Sequence, residues 1–245
     1  MWRVLRDELH DQGVELITIG LDSLGVTGCQ DAIKAAAPSH PALIDSHHLM
    51  ARLFGVVNIP QSVWIDEQGM IVRPVTSAPP PPDDSAEQPP PDIAALPERM
   101  LEIMGEAMQI ESDPKTYHDA LRDWVTHGAN SRYALSPEIV VARSQPATQE
   151  RALGDAHFEL ACEAVVRGRK SLAIAHFQAA HRLVPDSWTY RRQAWSLETV
   201  DAAGPFARFW QGPHPDHPED WPYEGDWLSD IRASGPANYY DPWKA

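Results

Sequence analysis

The stretch FGVVNIPQSVWIDEQGMIVRP, residues Phe54 to Pro74, decides how the rest of the chain is read. Proline cannot donate a ladder hydrogen bond and avoids strand interiors. Pro60 stands at the doorstep of Ser62–Asp66, a short apolar run that reads as a buried strand. Ile59-Pro60 therefore predicts a turn of fixed backbone feeding a strand. Glu67-Gln68-Gly69 supplies a tight turn into a second run, MIVRP, and the pair predicts a β-hairpin.

Toward the N-terminus, residues 1–12 predict an amphipathic helix with Val4, Leu5 and Leu9 on one face. Gly13 punctuates, and Val14 to Ile19 is a short β-branched run of the kind found in buried parallel strands. The glycines of SLGVTGCQ make a loop, and Gln30 to Ala37 predicts a helix stopped by Pro38. Ala42 to Asp45 gives a short extended piece, and a helix follows from Ser46, its N-cap, to Phe54. The order is α-β-α-(short β)-α-β-β.

Toward the C-terminus, residues 77–91 hold seven prolines and predict an extended polyproline spacer, with a proline-motif ligand as the other reading. Beyond it the pattern is helical. Residues 92–110 repeat Met100, Leu101, Met104 and Met108 at helical spacing, and methionines there read as core filler rather than a cofactor box. Residues 113–128 predict a second helix, with Asp113 as cap, Pro114 at its first position and Gly128 as stop. In residues 157–198, Leu160, Ala161 and Ala164 fall on one helix and Gly168 opens a turn. Ala173, Phe177 and Ala180 fall on the next, which Pro185 closes. This spacing resembles a tetratricopeptide repeat (TPR), although Ala164 replaces the usual aromatic of the first helix. One repeat cannot bury its own faces, so the helices of 92–128 are expected to pack on it. The tail, 205–245, carries Trp210, Trp221, Trp227 and Trp243 among prolines and glycines, and is expected to wrap over a core and insert its rings. His214 and His217 invite a metal reading, but two histidines with no third ligand in view do not make a site.

The chain has 245 residues, 43% of them hydrophobic. Lys and Arg number 20 against 35 Asp and Glu, a formal net charge of -15, which repels phosphate backbones and argues against a nucleic-acid partner. Cys29 and Cys162 are too few for a disulfide scaffold or a cysteine-based zinc site, and Cys162 reads as core packing. No stretch approaches the roughly 20 apolar residues of a membrane span. Residues 1–12 lack the order of a signal peptide. The chain as given reads as soluble, acidic and cytoplasmic, and an export signal upstream of Met1 would leave no trace in it.

GVELITIGLD, ALIDSHHLMARLFGVVNIP and VWIDEQGMIV resemble the later two-thirds of a thioredoxin-like domain of the ResA/TlpA thiol-disulfide oxidoreductase type. The resemblance covers the first 76 residues, and its specific part is the run from Phe54-Gly55-Val56 through Ile59-Pro60 to Ile65-Asp66 and Gly69. It implies a cis bond before Pro60, a turn whose peptide groups at Ile59 pair with an extended thiol substrate, and a disulfide-bearing protein or a peroxide as that substrate. The family's chemistry lives elsewhere, in a Cys-x-x-Cys or variant at the start of the first helix, where the helix end stabilises a thiolate. By the family pattern Met1 falls inside that helix, so the first strand and the reactive motif are expected to be missing, leaving the runs 14–19 and 62–66 on either side of an empty slot. No catalytic nucleophile can be assigned here. Relatives of the ResA-like kind carry Trp-Ala-x-x-Sec-Gly-Cys at that place. A selenocysteine codon taken for a stop, with the gene start then placed at the next methionine downstream, explains an N-terminally truncated selenoprotein, with a redox-dead fragment or a cloning boundary as the other reading. Cys29, after a strand and before a helix, is a weak auxiliary-thiol candidate.

The expectation is thus an incomplete α/β thioredoxin-like domain over 1–76, a proline-rich linker over 77–91, an all-α TPR-like domain over 92–204 and a Trp/Pro-rich tail over 205–245. Ile59 and Pro60 are the expected substrate-binding residues, with no metal and no cofactor. The function expected is that of a thiol or selenol oxidoreductase or peroxidase whose redox motif is not in this chain. The alternative is a non-catalytic interaction module that binds a protein partner at its helical repeats.

Overall fold

The computed structural model describes residues 2–80, 96–144, 146–198 and 207–241, a mixed α/β arrangement in which helices dominate. Helix α1 spans Trp2–Leu9. Leu5 and Leu9, one turn apart, are buried, whereas Val4, expected on the same face, is exposed. Strand β1 is Thr18–Leu21, later than the expected run. Val14 packs instead against the hairpin core, and Arg6 holds Glu15 at 3.2 Å, so the approach to β1 is tied down outside the ladder. Helix α2 is Val26–Ala36 and strand β2 is Ala42–Asp45. Helix α3 is Leu49–Phe54, not begun at Ser46. The Asp45 carboxylate accepts from the N–H groups of Leu49 and Met50 at 2.9 and 2.7 Å, which fixes the first turn there and leaves His48 in the left-handed region at φ 51°.

Strands β3, Gln61–Ile65, and β4, Ile71–Ser77, form the expected hairpin. Gly69, at φ 78°, makes the turn that a side chain would strain. Register shifts on either side of Trp64 leave Pro74 at a bulge, where its missing N–H costs no ladder bond. Among the described residues β1 pairs only with β2, in parallel, and β3 only with β4, antiparallel. The Thr18 N–H reaches Pro41, so alternation turns the peptide groups of Ile19 and Leu21 to the opposite edge, where no described strand meets them.

Two small sheets cannot stabilise themselves. The hairpin is covered by α1 and by α5, Pro114–His127, in a core of Leu5, Leu9, Trp64, Tyr117, Ala120 and Leu121. Trp64 stacks on Trp124 at 5.1 Å. The cap of α5 is as the sequence predicts: Asp113 accepts from Thr116, Pro114 opens the helix and Gly128 ends it. Its packing differs from expectation, because α5 sits on the hairpin and not on the repeat. Helix α6, Pro137–Arg143, packs on β4. Ser77 still belongs to β4, and the buried Ala78 donates its N–H to Pro60, so the expected spacer begins later. Its residues 81–91 lie outside the described residues.

The repeat-like hairpin is α7, Gln149–Val166, and α8, Lys170–Leu183, with Gly168 at φ 66° in the turn. Ala161, Ala173 and Ala180 let the helices approach, and Phe158 meets Phe177 edge-on at 5.6 Å. Phe158, six residues before Ala164, is the buried aromatic of the first helix, whereas Leu160 is 52% exposed. Helix α9, Trp188–Ser196, stacks Tyr190 on Phe158 at 3.9 Å. Helix α4, Glu98–Ala107, joins this core through Met100 and Ile103, while Leu101 and Met108 face solvent. The tail crosses the core with α10, Ala207–Trp210, and α11, Trp227–Ser234. Trp210 and Trp227 are buried in it and Trp221 packs beside it, while Trp243 lies outside the described residues. Among the described residues no helix is long and apolar enough to cross a membrane.

Two measurements check this packing. Phe158→Ala is expected to cost about 3–5 kcal/mol in urea unfolding and Leu160→Ala less than about 0.5 kcal/mol, opposite to what a Leu160 core would give. Burial, with Arg191 and Arg182 nearby, pushes His181 down to about 4 even though its ring bonds the Tyr190 carbonyl. Its unfolded value lies near 6.5, so the unfolded chain binds more protons between about 4 and 6.5. Stability is complete above that window and falls by on the order of 2 kcal/mol between pH 7 and pH 5, a slope that His181→Gln is expected to remove.

Candidate functional site

The Ile59–Pro60 turn is built from both ends of the chain. Helix α3 ends at Gly55, φ 75°, whose N–H returns to Arg52 while that of Val56 returns to Ala51. The next residues cannot pair with a strand, so side chains satisfy them. Gln61 reaches back from the start of β3, and its Oε1 accepts from the N–H groups of Val57 and Asn58 at 3.1 and 3.4 Å. Asn58 folds its own Oδ1 onto the Ile59 N–H at 2.8 Å. The Ile59–Pro60 peptide bond is cis. Pro60 has no N–H to place, and its carbonyl accepts from Ala78 at 3.1 Å.

The remaining groups are met by the helical half. Val57 gives its carbonyl to the Thr189 N–H at 3.1 Å. The buried Asn58 donates Nδ2–H to the Tyr239 carbonyl at 2.7 Å. The Tyr240 hydroxyl donates to the Ile59 carbonyl at 3.2 Å. Both peptide groups of Ile59 are therefore engaged within the chain, while its side chain remains 42% exposed.

The loops that follow β1 and β2 meet the same helices. Gln193 Oε1, from α9, accepts from the Ser23 N–H at 2.9 Å and from His48 Nε2 at 3.1 Å. The His48 ring lies 4.8 Å from Phe158. Burial holds its pKa below the ordinary histidine value, and its Nδ1 is buried without a hydrogen-bond partner, so a proton there would find no acceptor. Arg52 pairs with Glu159 at 2.9 Å alongside. Asn58, Gln61, His48, Gln193, Tyr239 and Tyr240 were not legible as site residues. Their contacts span up to 181 residues and leave no local period.

Cys29, the auxiliary-thiol candidate, is on α2 in the β1–β2 layer, apart from the hairpin that carries Ile59 and Pro60. It is packed on Gly20, and a Cβ at that glycine would stand 3.1 Å from Sγ. Burial and the Asp22 carboxylate push its thiol pKa up, which opposes the thiolate such a role needs. Cys162 is fully buried and pushed up to about 12. Neither is in a disulfide. His214 and His217 have ring centres 5.6 Å apart, and among the described residues no three His, Cys, Asp or Glu side chains group as metal ligands.

Comparison with family models, with curated proteins and with solved structures finds no match to this chain.

The thiols offer a direct check on this chemistry. With a disulfide reagent such as DTNB at pH 7.5, both cysteines of the native chain are expected to react at least ~100-fold more slowly than in urea, where two equivalents titrate at once. Fast native reaction at Cys29 would restore it as a functional thiol.

Proposed function

We propose that the chain is the substrate-docking part of a thioredoxin-like thiol or selenol oxidoreductase of the ResA-like kind, acting on protein disulfides or peroxides. The split sheet carries this reading. β1 and β3 each keep one edge without a partner among the described strands, at the place where the family pattern puts its first strand and reactive motif. The reading requires that strand and its cysteine or selenocysteine from residues other than these. Ile59 and Pro60 then hold the substrate, and the acidic helical half selects or tethers a partner.

A second reading is favoured by a different observation. The N–H and carbonyl of Ile59 and the carbonyl of Pro60 are all engaged within the chain, and both thiols are buried with raised pKa values. On that reading the α/β part is a scaffold, and the chain is a non-catalytic module that binds a partner through α7–α9.

Turnover separates the two. The chain alone is expected to be inactive in insulin reduction and in peroxide reduction. The chain lengthened by the codons preceding residue 1, with any in-frame UGA read as selenocysteine or replaced by a cysteine codon, is expected to be active and to show slow amide exchange at Ile19 and Leu21. Inactivity of a folded, lengthened chain, or upstream codons that encode no strand, would overturn the first reading and leave the second.

A further inference from the structure

We infer that Tyr240 is a latch on the Ile59–Pro60 turn, and that an extended segment docks there only after the Tyr240 hydroxyl leaves the Ile59 carbonyl. This deepens the docking reading above and rests on it.

The tail reaches the turn by a fixed route. Helix α11 starts with a capping box at Asp226 and Ser229 and ends at Gly235, φ 78°, where the chain reverses. The Asn238 and Tyr239 N–H groups return to Gly235 and Pro236 at 2.9 and 3.1 Å. Tyr239 is an anchor. Its ring is buried against Trp188 at 4.7 Å and Trp227 at 6.3 Å, its hydroxyl accepts from Arg192 at 3.1 Å, and its carbonyl accepts from Asn58.

Tyr240 is attached differently. Beyond the edge-on contact of its ring with Tyr239 at 4.8 Å, its described tie to the turn is one neutral hydrogen bond, 3.2 Å long. Burial pushes its phenol up to about 12, so it remains a donor throughout the physiological range. The carbonyl it covers is the acceptor that an incoming strand would use, and the neighbouring Ile59 N–H is covered by Asn58 in the same closed arrangement. Asn58 in turn is oriented by the Tyr239 carbonyl. The outermost bond in this chain of contacts is that of Tyr240, whose ring is only partly buried where that of Tyr239 is buried. A net neutral hydrogen bond is worth about 1 kcal/mol, so removing the hydroxyl raises the affinity of a docked segment about fivefold.

The test uses the full chain and a fluorescein-labelled, S-carboxymethylated insulin B chain as an extended, thiol-derived probe, read by anisotropy. Tyr240→Phe keeps the ring and removes the donor, and is expected to bind about fivefold more tightly than the wild type. In a 15N-labelled sample the probe is expected to shift the Ile59 amide. Equal affinity of wild type and Tyr240→Phe, with weaker binding by Pro60→Ala, would overturn the latch and leave docking intact. Tighter binding that leaves the Ile59 amide unmoved would place the probe elsewhere and overturn the latch as well. No binding by any variant would remove the docking reading and the latch with it.

Discussion

One oxygen atom fixes how the halves of this molecule sit together. Gln193 Oε1 takes the Ser23 N–H from the end of β1 and the His48 Nε2–H from the loop after β2. Both donors are buried, and a buried donor without a partner costs about 1–3 kcal/mol. α9 thus cannot slide along the parallel pair without stranding two polar groups at once. The same helix sends its Thr189 N–H to Val57, so its position also sets the approach to the cis bond. The turn, the latch and the covered loops all follow from where α9 stands.

The chain does not divide as a linear reading suggests. A thioredoxin-like fragment followed by a separate helical domain would place α4 and α5 together. They part instead: α4 packs with the repeat-like pair and the tail, and α5 packs with α1 and the hairpin. Arg73 of β4 shows how closely the second group is knit. It is buried beside Trp64, donates to the Tyr133 carbonyl, and burial pushes its pKa down to about 10. The guanidinium of the hairpin is thus buried against the turn between α5 and α6.

What the sequence made legible was local. The hairpin followed from Pro60, Gly69 and two apolar runs, and α5 from Asp113, Pro114 and Gly128, because these signals act within a few residues. The close approach of α7 and α8 followed from Ala161, Ala173 and Ala180. Errors arose where a face had to be chosen. Val4, Leu160 and Met108 are apolar and helically spaced, yet each faces solvent, since periodicity marks a stripe but not the partner that covers it. The start of α3 moved because a carboxylate at Asp45 outcompeted the Ser46 hydroxyl for the free N–H groups. In the candidate site, Ile59 and Pro60 could be named from their neighbours. Tyr240 could not, because nothing near it in sequence says that it ends beside residue 59.

Exposure in the α/β part is distributed in reverse of the usual pattern. Parallel strands normally bury both faces and leave their loops in water. Here Ile17 and Leu43, beside and in the parallel strands, are exposed, while Ser23, His48 and Asn58, in the loops, are buried. Helix α9 and the tail meet the loops, while α5 and α6 lie on the hairpin. In open α/β sheets the carboxyl edge of the strands is where ligands bind. Gln193, Thr189 and the Tyr240 hydroxyl meet backbone donors and acceptors beside these loops. These contacts are graded. Gln193 satisfies two buried donors, Tyr239 is packed among tryptophans, and Tyr240, partly buried against the same core, reaches the turn by one hydrogen bond. That gradient gives the edge a direction in which it can open, from the tail inward, with the strands left in place.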